Sequence, residues 1–455
     1  MLNLNQLKEL YVKSPNWVKS IYSSIPYNIR NGQEYIQWIA LLEKELNVEE
    51  YEIVKLKETI LYAYDNTLYY KNLFDKNNIN PYEINSRNDI QDIPFLTKKL
   101  IRENFYDLQA VNYPTNKKFS VSTGGTTGDT VKFIQSQNVW KKELAFVNNF
   151  FHKYDCTPNQ LKVSFKIGNY KYTSQGIFWK KDYIHNSIHF SPLHLNAETV
   201  KYYVQEINKL KPLFFHIYPS NLLFLIDFMI EQNLFFNYQI HTIFLVSEGY
   251  LKEDIVKIKS FFNCNVVSFY GHSERILFAE SISSYADIYQ IDKRYGLLEL
   301  INDNKQIVDN DIVANIVGTS FDNYAMPLIR YKTDDNTMYL DYNNNKISLI
   351  DSLRNQVYID TANGMKISIT SFSFSAFVNK IKTWQIYQEE PGKIEIVIVP
   401  NNNFTQKDKD GLELSISKDI KDVIQYKIKF VNQPLFTSRG KMVKMNKKPV
   451  KPLTK

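Results

Sequence analysis

Nine consecutive positions, STGGTTGDT (122–130), hold three of the chain's 14 glycines together with five hydroxyl residues. That is the composition of a loop that wraps phosphate: glycines let the backbone approach an anion and turn its N–H groups inward, while Ser and Thr hydroxyls add donors. It is not the lysine-bearing GxxxxGK[ST] loop, because Asp129 follows Gly128. The alternative is a glycine-rich hairpin turn after the basic, strand-like segment KKFSV.

Three further stretches carry reactive groups. In SFYGHSER (268–275) the run Gly271-His272-Ser273 approaches the nucleophile elbow GxSxG, but Arg275 stands at the second glycine and His272 is the last histidine of the chain. A serine hydrolase of that fold needs a histidine downstream of its serine. The residues of interest are then Glu274, a carboxylate suited to Mg²⁺ beside a phosphate loop, and Tyr270, suited to stacking on a base. The bland alternatives are an ion pair of Glu274 with Arg275 and a core tyrosine. In NYAMPLIRYKTDD (323–335) a strand is expected to end on paired acids, placed to accept hydrogen bonds from ribose hydroxyls or simply to form a turn. In PLFTSRGKMVKM (434–445) Gly440 precedes Lys441 on a basic terminal segment, a suitable place for a cation that must reach a reaction and leave again. A metal site on His185, His189 and His194 is disfavoured, since NSIHFSPLH has no helical periodicity and no acid ligand is evident close by.

These stretches must be positioned by a scaffold, and its outline follows from periodicity. EYIQWIALLEKEL and VEEYEIVKLKETILYAYDNTLYYKNLF carry apolar residues at three- and four-residue spacing, so the first 110 residues form a mostly helical arm. Beyond Phe119, strand-like LKVSFKIG, HTIFLVS and NVVSFYG alternate with helix-like ETVKYYVQEINKL and YLKEDIVKIKSFF. That alternation predicts an α/β fold of layered sheets over residues 1–350. Short segments such as KIEIVIVP and YKIKFV predict a smaller α+β domain over 351–455.

Composition narrows the class. With 44% hydrophobic and 23% charged residues the chain is folded rather than disordered. The apolar window PLFFHIYPSNLLFLIDFMI is interrupted by His216, Pro219, Asn221 and Asp227, which reads as a strand and buried helix, not an integral membrane segment. The start of the sequence lacks the features of a secretory signal, and a cytoplasmic location is expected. Cys156 and Cys264 cannot build a disulfide framework. Of the 55 Lys and Arg residues, ten lie from Lys421 onward against a single acid, so the basicity belongs to the tail. No nucleic-acid-binding motif accompanies it, and no nucleic-acid partner is expected.

In their order, the glycine- and hydroxyl-rich loop, YGHSE, IRYKTDD and SRGK resemble the adenylate-forming ligase superfamily, within it the phenylacetate–coenzyme A ligase-like and capsular polysaccharide biosynthesis branch. The segment YYKNLFDKNNINPYEINSRNDIQDIPFLTKKLIREN also resembles that branch, and the likeness spans about residues 69–445. It implies a large amino-terminal domain and a mobile carboxyl-terminal lid. It further implies ATP- and Mg²⁺-dependent adenylation of a small carboxylic acid, then acyl transfer to coenzyme A or to an amine on an amino sugar or lipid-linked sugar.

By position, the resemblance implies that Ser122, Thr123, Gly124, Gly125, Thr126, Thr127 and Gly128 hold ATP phosphates, Thr126 acting also in catalysis. Ser247, Glu248 and Gly249 would line the adenine pocket with Tyr270, Gly271, His272 and Ser273, and Glu274 would hold Mg²⁺. Asp335 would bind ribose, Arg354 precede the hinge, and Lys441 contact the reacting carboxylate. Two departures stand out. The usual Arg-Thr-Gly-Asp is Lys332-Thr333-Asp334-Asp335, leaving the ribose aspartate open between two, and the hinge arginine is flanked by Leu353 and Val357 rather than a glycine and an acid. A non-catalytic nucleotide-binding scaffold is the alternative these departures raise.

Overall fold

The computed structural model describes residues 14–122, 131–166, 170–283, 285–348, 351–352, 358–362, 366–368, 377, 380–420, 424–432 and 445–446. The amino-terminal arm is helical: α1 (Asn16–Ser24), α2 (Tyr27–Glu43), α3 (Val48–Asn66), α4 (Leu68–Lys76) and α5 (Lys98–Glu103). The long periodic run splits at Thr67, whose hydroxyl donates to the Ala63 carbonyl (2.8 Å) and accepts from the Tyr70 N–H (3.2 Å). One side chain thus closes α3 and caps α4.

The chain then enters strands. β1 (Lys118–Ser122) and β2 (Lys132–Ser136) pair antiparallel, with Ser122 opposite Lys132. Helix α6 (Gln137–His152) follows directly, and β3 (Lys162–Phe165), β4 (Trp179–Asp182), β5 (Ser187–Phe190), β6 (Phe214–Ile217), β7 (Thr242–Leu245) and β8 (Asn265–Tyr270) open the main sheet. Their spatial order is β4-β5-β3-β6-β7-β8, parallel throughout except for the edge strand β4. Helices α7 (Val200–Leu210), α8 (Pro219–Glu231) and α9 (Lys252–Phe262) alternate with these strands, as parallel pairing requires. The apolar window read from the sequence is β6 followed by α8, and among the described residues no helix is long and apolar enough to cross a membrane.

Both faces of this parallel region are covered. Val163, Phe165, Ile188, Phe215, Ile217 and Ile243 pack in one cluster with side chains of α7, α8 and α9. On the other face Phe146, Phe150 and Phe151 of α6 pack with Phe214, Phe244 and Val267. Because β3 has neighbours β5 and β6 on opposite sides, the connections diverge there, and the crevice at the strands' carboxyl ends is where such sheets receive ligands.

Beyond β8 the sheet continues antiparallel through β9 (Ala279–Ser281), β10 (Ile288–Ile291), β11 (Gly296–Ile301), β12 (Val313–Ser320), β13 (Tyr331–Asp341) and β14 (Lys346–Ser348), ordered β8-β9-β10-β14-β13-β12-β11. This corrects the expectation that IRYKTDD ends a strand: Tyr331 begins β13, and the acids lie inside it. Val317 pairs with Lys332 but Asn315 with Asn336, so one β12 residue faces three on β13. The extra residues form a bulge, with Asp334 at φ 67°, and the bulge turns the two neighbouring aspartates in different directions.

A separate four-stranded sheet joins Gln425–Phe430, Lys393–Pro400, Ile381–Glu390 and Met445–Asn446 in that order, with helix α10 (Gln406–Ile420) between two parallel strands. Its own core contains Trp384, Ile386, Ile396, Leu412 and Ile416.

Asp322, just after β12, ties the arm to the sheet. One carboxylate oxygen meets Lys55 Nζ of α3 at 2.9 Å, and the other meets Lys142 Nζ of α6 at 2.7 Å. Lys142 Nζ also donates to the Tyr295 carbonyl at 2.8 Å. The two ammonium groups outweigh burial and hold the Asp322 carboxyl below its ordinary range. A depressed carboxylate contributes stability that is present above the unfolded value of about 3.9 and lost as pH falls through the folded value. Asp322→Ala leaves two lysines without their shared anion and is expected to cost about 3–5 kcal/mol; urea unfolding at pH 7 reads the loss, which should shrink as wild type is titrated below pH 4.

Candidate active site

Residues from distant parts of the sequence converge at the carboxyl edge of β8. Tyr270, its last residue, donates its hydroxyl to Asp335 Oδ2 on β13 at 2.9 Å, and its ring lies 5.2 Å from that of His272. Asp335 is buried and its N–H donates to the Thr333 hydroxyl. Asp334 points the other way, to Lys98 Nζ at 2.6 Å, with its side chain 47% exposed. The bulge therefore gives the two aspartates separate partners, with Asp335 on the Tyr270 side. Glu274 is buried four residues beyond Tyr270, and one of its carboxylate oxygens accepts from the Tyr331 hydroxyl at 3.1 Å.

The turn between Tyr270 and Glu274 is held from two directions. Gln135 Nε2 of β2 donates to the Ser273 carbonyl at 2.6 Å, fastening the β1–β2 hairpin to it. Arg275, with φ 57°, forms an ion pair with Glu143 of α6 and lies over the Trp140 ring at 5.2 Å. The arginine that spoils the nucleophile elbow is thus a structural anchor, and it pairs with Glu143 rather than with its neighbour Glu274.

After β7, Ser247 has φ 62° and is exposed, as is Gly249. Glu248 instead turns to the start of α8, where it accepts from the Ser220 N–H at 3.2 Å; burial pushes its carboxyl up. Of the other expected residues, Ser122 closes β1. Thr123, Gly124, Gly125, Thr126, Thr127 and Gly128, together with Arg354 and Lys441, lie outside the described residues. The pairing of Ser122 with Lys132 nevertheless leaves a connection of nine residues. Hairpins close with two to five.

A cavity of about 490 Å³ opens beside this edge and runs inward between α6 and the sheet. Ser247, Gly271, His272 and Ser273 line it, together with Lys162, Ser164 and Lys166 from β3 and its end, Ser187 and His189 from β5, and His216 from β6. Apart from His189, weighed only as a metal ligand, sequence reasoning placed none of this inner wall. The signal was present as alternation: LKVSFKIG and SIHFS put a polar residue at every second position, which one face of a strand collects. His189 Nε2 bonds the Ser187 hydroxyl at 2.8 Å and lies 3.4 Å from Asp182. Burial and Lys166 lower its pKa to about 3, so it is neutral. His185 Nδ1 also meets Asp182 at 2.8 Å, which corrects the reading that no acid lies near these histidines. Among the described residues no group of three ligating side chains could hold a metal ion. Glu274 alone would depend on other donors, which suits a Mg²⁺ ion held mostly by phosphate and water.

No protein-family model matches the chain. It is similar to Protein CapK of Staphylococcus aureus, 24% identical over 458 residues, covering 96% of this chain and 98% of that protein. Among solved structures, 2-hydroxyisobutyryl-CoA ligase in the postadenylation state with R3-HIB-AMP matches with a TM-score of 0.53 at 15% identity, covering 87% of this chain and 89% of that one. The same ligase with 2-HIB-AMP and CoA in the thioesterification state gives 0.54, again at 15% identity, over 88% and 89%. What is shared at such identity is the fold, and it is the fold that the four ordered motifs led us to expect.

The inner wall has a measurable electrostatic signature. Burial, partly offset by Asp182, lowers Lys162 to about 8 from an ordinary 10.5. A base depressed in the folded state weakens the fold wherever it is protonated, so stability should rise as pH climbs from 8 to 10.5, by about 3 kcal/mol in all. Lys162→Met should be more stable than wild type at pH 7, with the gap closing by pH 10.5; thermal unfolding of the two proteins across that range checks it.

Proposed function

We propose that this chain, with the fold of the adenylate-forming ligases, joins a small carboxylic acid to AMP from ATP, releases pyrophosphate, and passes the acyl group to a nucleophilic acceptor. The observation that carries the reading is the convergence of Tyr270 and Glu274, from the end of β8 and the turn after it, with Asp335 of β13, beside a cavity that Gly271, His272 and Ser273 of the same turn line. Tyr270 offers a ring face for the base. Its hydroxyl holds the Asp335 carboxylate in place, and that carboxylate accepts from the ribose hydroxyls. Glu274, buried and oriented by Tyr331, would hold Mg²⁺, which supplies charge neutralisation at the phosphates.

A carboxylate is a poor electrophile, and its conversion to an acyl-adenylate gives it a good leaving group. Little covalent chemistry is asked of the protein, so positioning and charge supply the rate. The segment Thr123–Gly128, which belongs to the connection between the paired strands β1 and β2, would close over the phosphates with Thr126 and Thr127 as donors. Lys441, from the carboxyl-terminal segment, would meet the reacting carboxylate. Residues 1–350 then act as the binding domain and 351–455 as the lid. The acceptor is a thiol, with coenzyme A supported by the ligase of like fold, or an amine on a sugar, the option that the resemblance to the capsular branch raises.

Acid-dependent exchange of labelled pyrophosphate into ATP tests the first half. Lys441→Ala should lower exchange by roughly 10²–10³-fold, as loss of one transition-state contact does. Asp335→Ala should chiefly raise the KM for ATP, by roughly 10-fold or more for a lost charged hydrogen bond. Nucleotide binding with no exchange across a broad acid screen, and no effect of Lys441→Ala, would instead favour a scaffold.

A further inference from the structure

The inner wall of the cavity is chemically out of place. β3, β5 and β6 are central strands of a parallel sheet covered on both faces, where near-continuous apolar residues are the rule. On the face away from α6 that rule holds, with Val163, Phe165, Ile188, Phe190, Phe215 and Ile217. On the α6 face the register sets Lys162 beside Ser187 and Ser164 beside His189, and His216 lies on the same face one strand over. Three neighbouring strands have each given up apolar packing at the same place.

Lys162 makes the wall more than a polar patch. It is only 9% exposed, and its ammonium lies 5.9 Å from the ring centres of both Phe151 and Phe214. Among the described residues no carboxylate or carbonyl accepts from it. The other cations of this fold's interior are answered: Lys142 by Asp322, Arg330 by Glu299, Arg275 by Glu143. His216 Nε2, buried on the same wall, also has no hydrogen-bond partner among the described residues. Two acids lie near: Glu143, which lines the cavity and is engaged by Arg275 and by the Tyr295 hydroxyl, and Asp182, whose charge partly offsets the burial of Lys162 but whose side chain meets His185 at 2.8 Å and His189 at 3.4 Å. A buried ammonium without an acceptor is costly unless a ligand supplies the anion.

We infer that the acid substrate carries a second anionic group, received at the inner end of the cavity by Lys162 with His216 and His189, while the carboxylate to be activated stays at the outer end beside Gly271–Ser273. The inference rests on the adenylation reading for which carboxylate reacts, but not for what the inner wall binds. Neutral imidazoles and the hydroxyls of Ser164 and Ser187 complete a donor set for a carboxylate or a phosphoryl group. A long apolar or plain aromatic acid would instead bury this wall unanswered.

The test uses the full chain and acids matched in length: succinate, malate and 3-phosphonopropionate against butyrate, and glutarate against valerate, with phenylacetate added. Binding of each acid is measured by calorimetry at pH 7, and pyrophosphate exchange is measured in parallel. At least one two-anion acid is expected to exceed its one-anion match tenfold or more in affinity or in kcat/KM, and the dicarboxylate and phosphono arms show which second anion is preferred. Lys162→Met should reduce that preference to less than threefold, and His216→Gln should lower it in the same direction, with thermal transitions confirming that both variants are folded.

Equal or better use of butyrate, valerate or phenylacetate overturns the inference while leaving adenylation standing. So does a preference that survives Lys162→Met, and so does the failure of every acid to bind. A Lys162-dependent preference in binding without any exchange upholds the second-anion site and counts against adenylation of these acids.

Discussion

Asp322 is the anion to which the large part of the molecule is tied. Its two oxygens take ammonium groups from α3 and α6, and Lys142 extends the connection to the Tyr295 carbonyl. Three layers that have no covalent reason to hold a fixed relation are thereby locked at one point. The lock has a consequence one residue along α6. Glu143 follows Lys142, and it fixes Arg275, whose left-handed backbone shapes the turn from Gly271 to Glu274. The position of the candidate active-site turn is thus inherited from a buried ion cluster in the scaffold.

The same clamp explains how a polar cavity can persist between α6 and the sheet. Phe146, Phe150 and Phe151 hold α6 on Phe214, Phe244 and Val267, and Lys142 ties the same helix to Asp322. Held by these contacts, α6 roofs the space beside Lys162, His189 and His216 with Glu143, Leu144, Val147, Asn148 and Phe151. Apolar packing on the far side of the strands, under α7, α8 and α9, supplies the burial that this face forgoes.

Much of this was legible in the sequence, because periodicity and turn chemistry act locally. The strands β3, β6, β7 and β8 and the helices between them follow from alternation and from three- and four-residue spacing, and the order of four motifs carried the fold. What was not legible depends on partners far along the chain. Asp334 and Asp335 are adjacent acids in the sequence, and only a bulge opposite Ile316 sends one to Lys98 and the other to Tyr270. Arg275 read as a departure from a motif because Glu143, far back along the chain on α6, is invisible from its neighbours. The inner wall was missed for another reason: Lys162, Ser187 and His216 each look like an ordinary polar residue in a short strand, and they become one surface when β5, β3 and β6 are laid side by side.

The buried charges divide by whether the fold itself answers them. Arg330 is held by Glu299 of β11 at 2.7 Å and donates through Nη1 to the carbonyls of Gln91 and Ile93, so its charge is answered within the sheet while its remaining donors join the arm to it. Glu52, buried on α3, is answered in the same way by Arg87 from the stretch between α4 and α5. A folded chain gains nothing by leaving one ammonium out of this scheme: a methionine of similar reach at position 162 would pack against Phe151 and Phe214 with no charge to desolvate. That the sequence keeps a lysine there, on a wall shared with the cavity and among neutral imidazoles, assigns its charge to binding rather than to the stability of the fold.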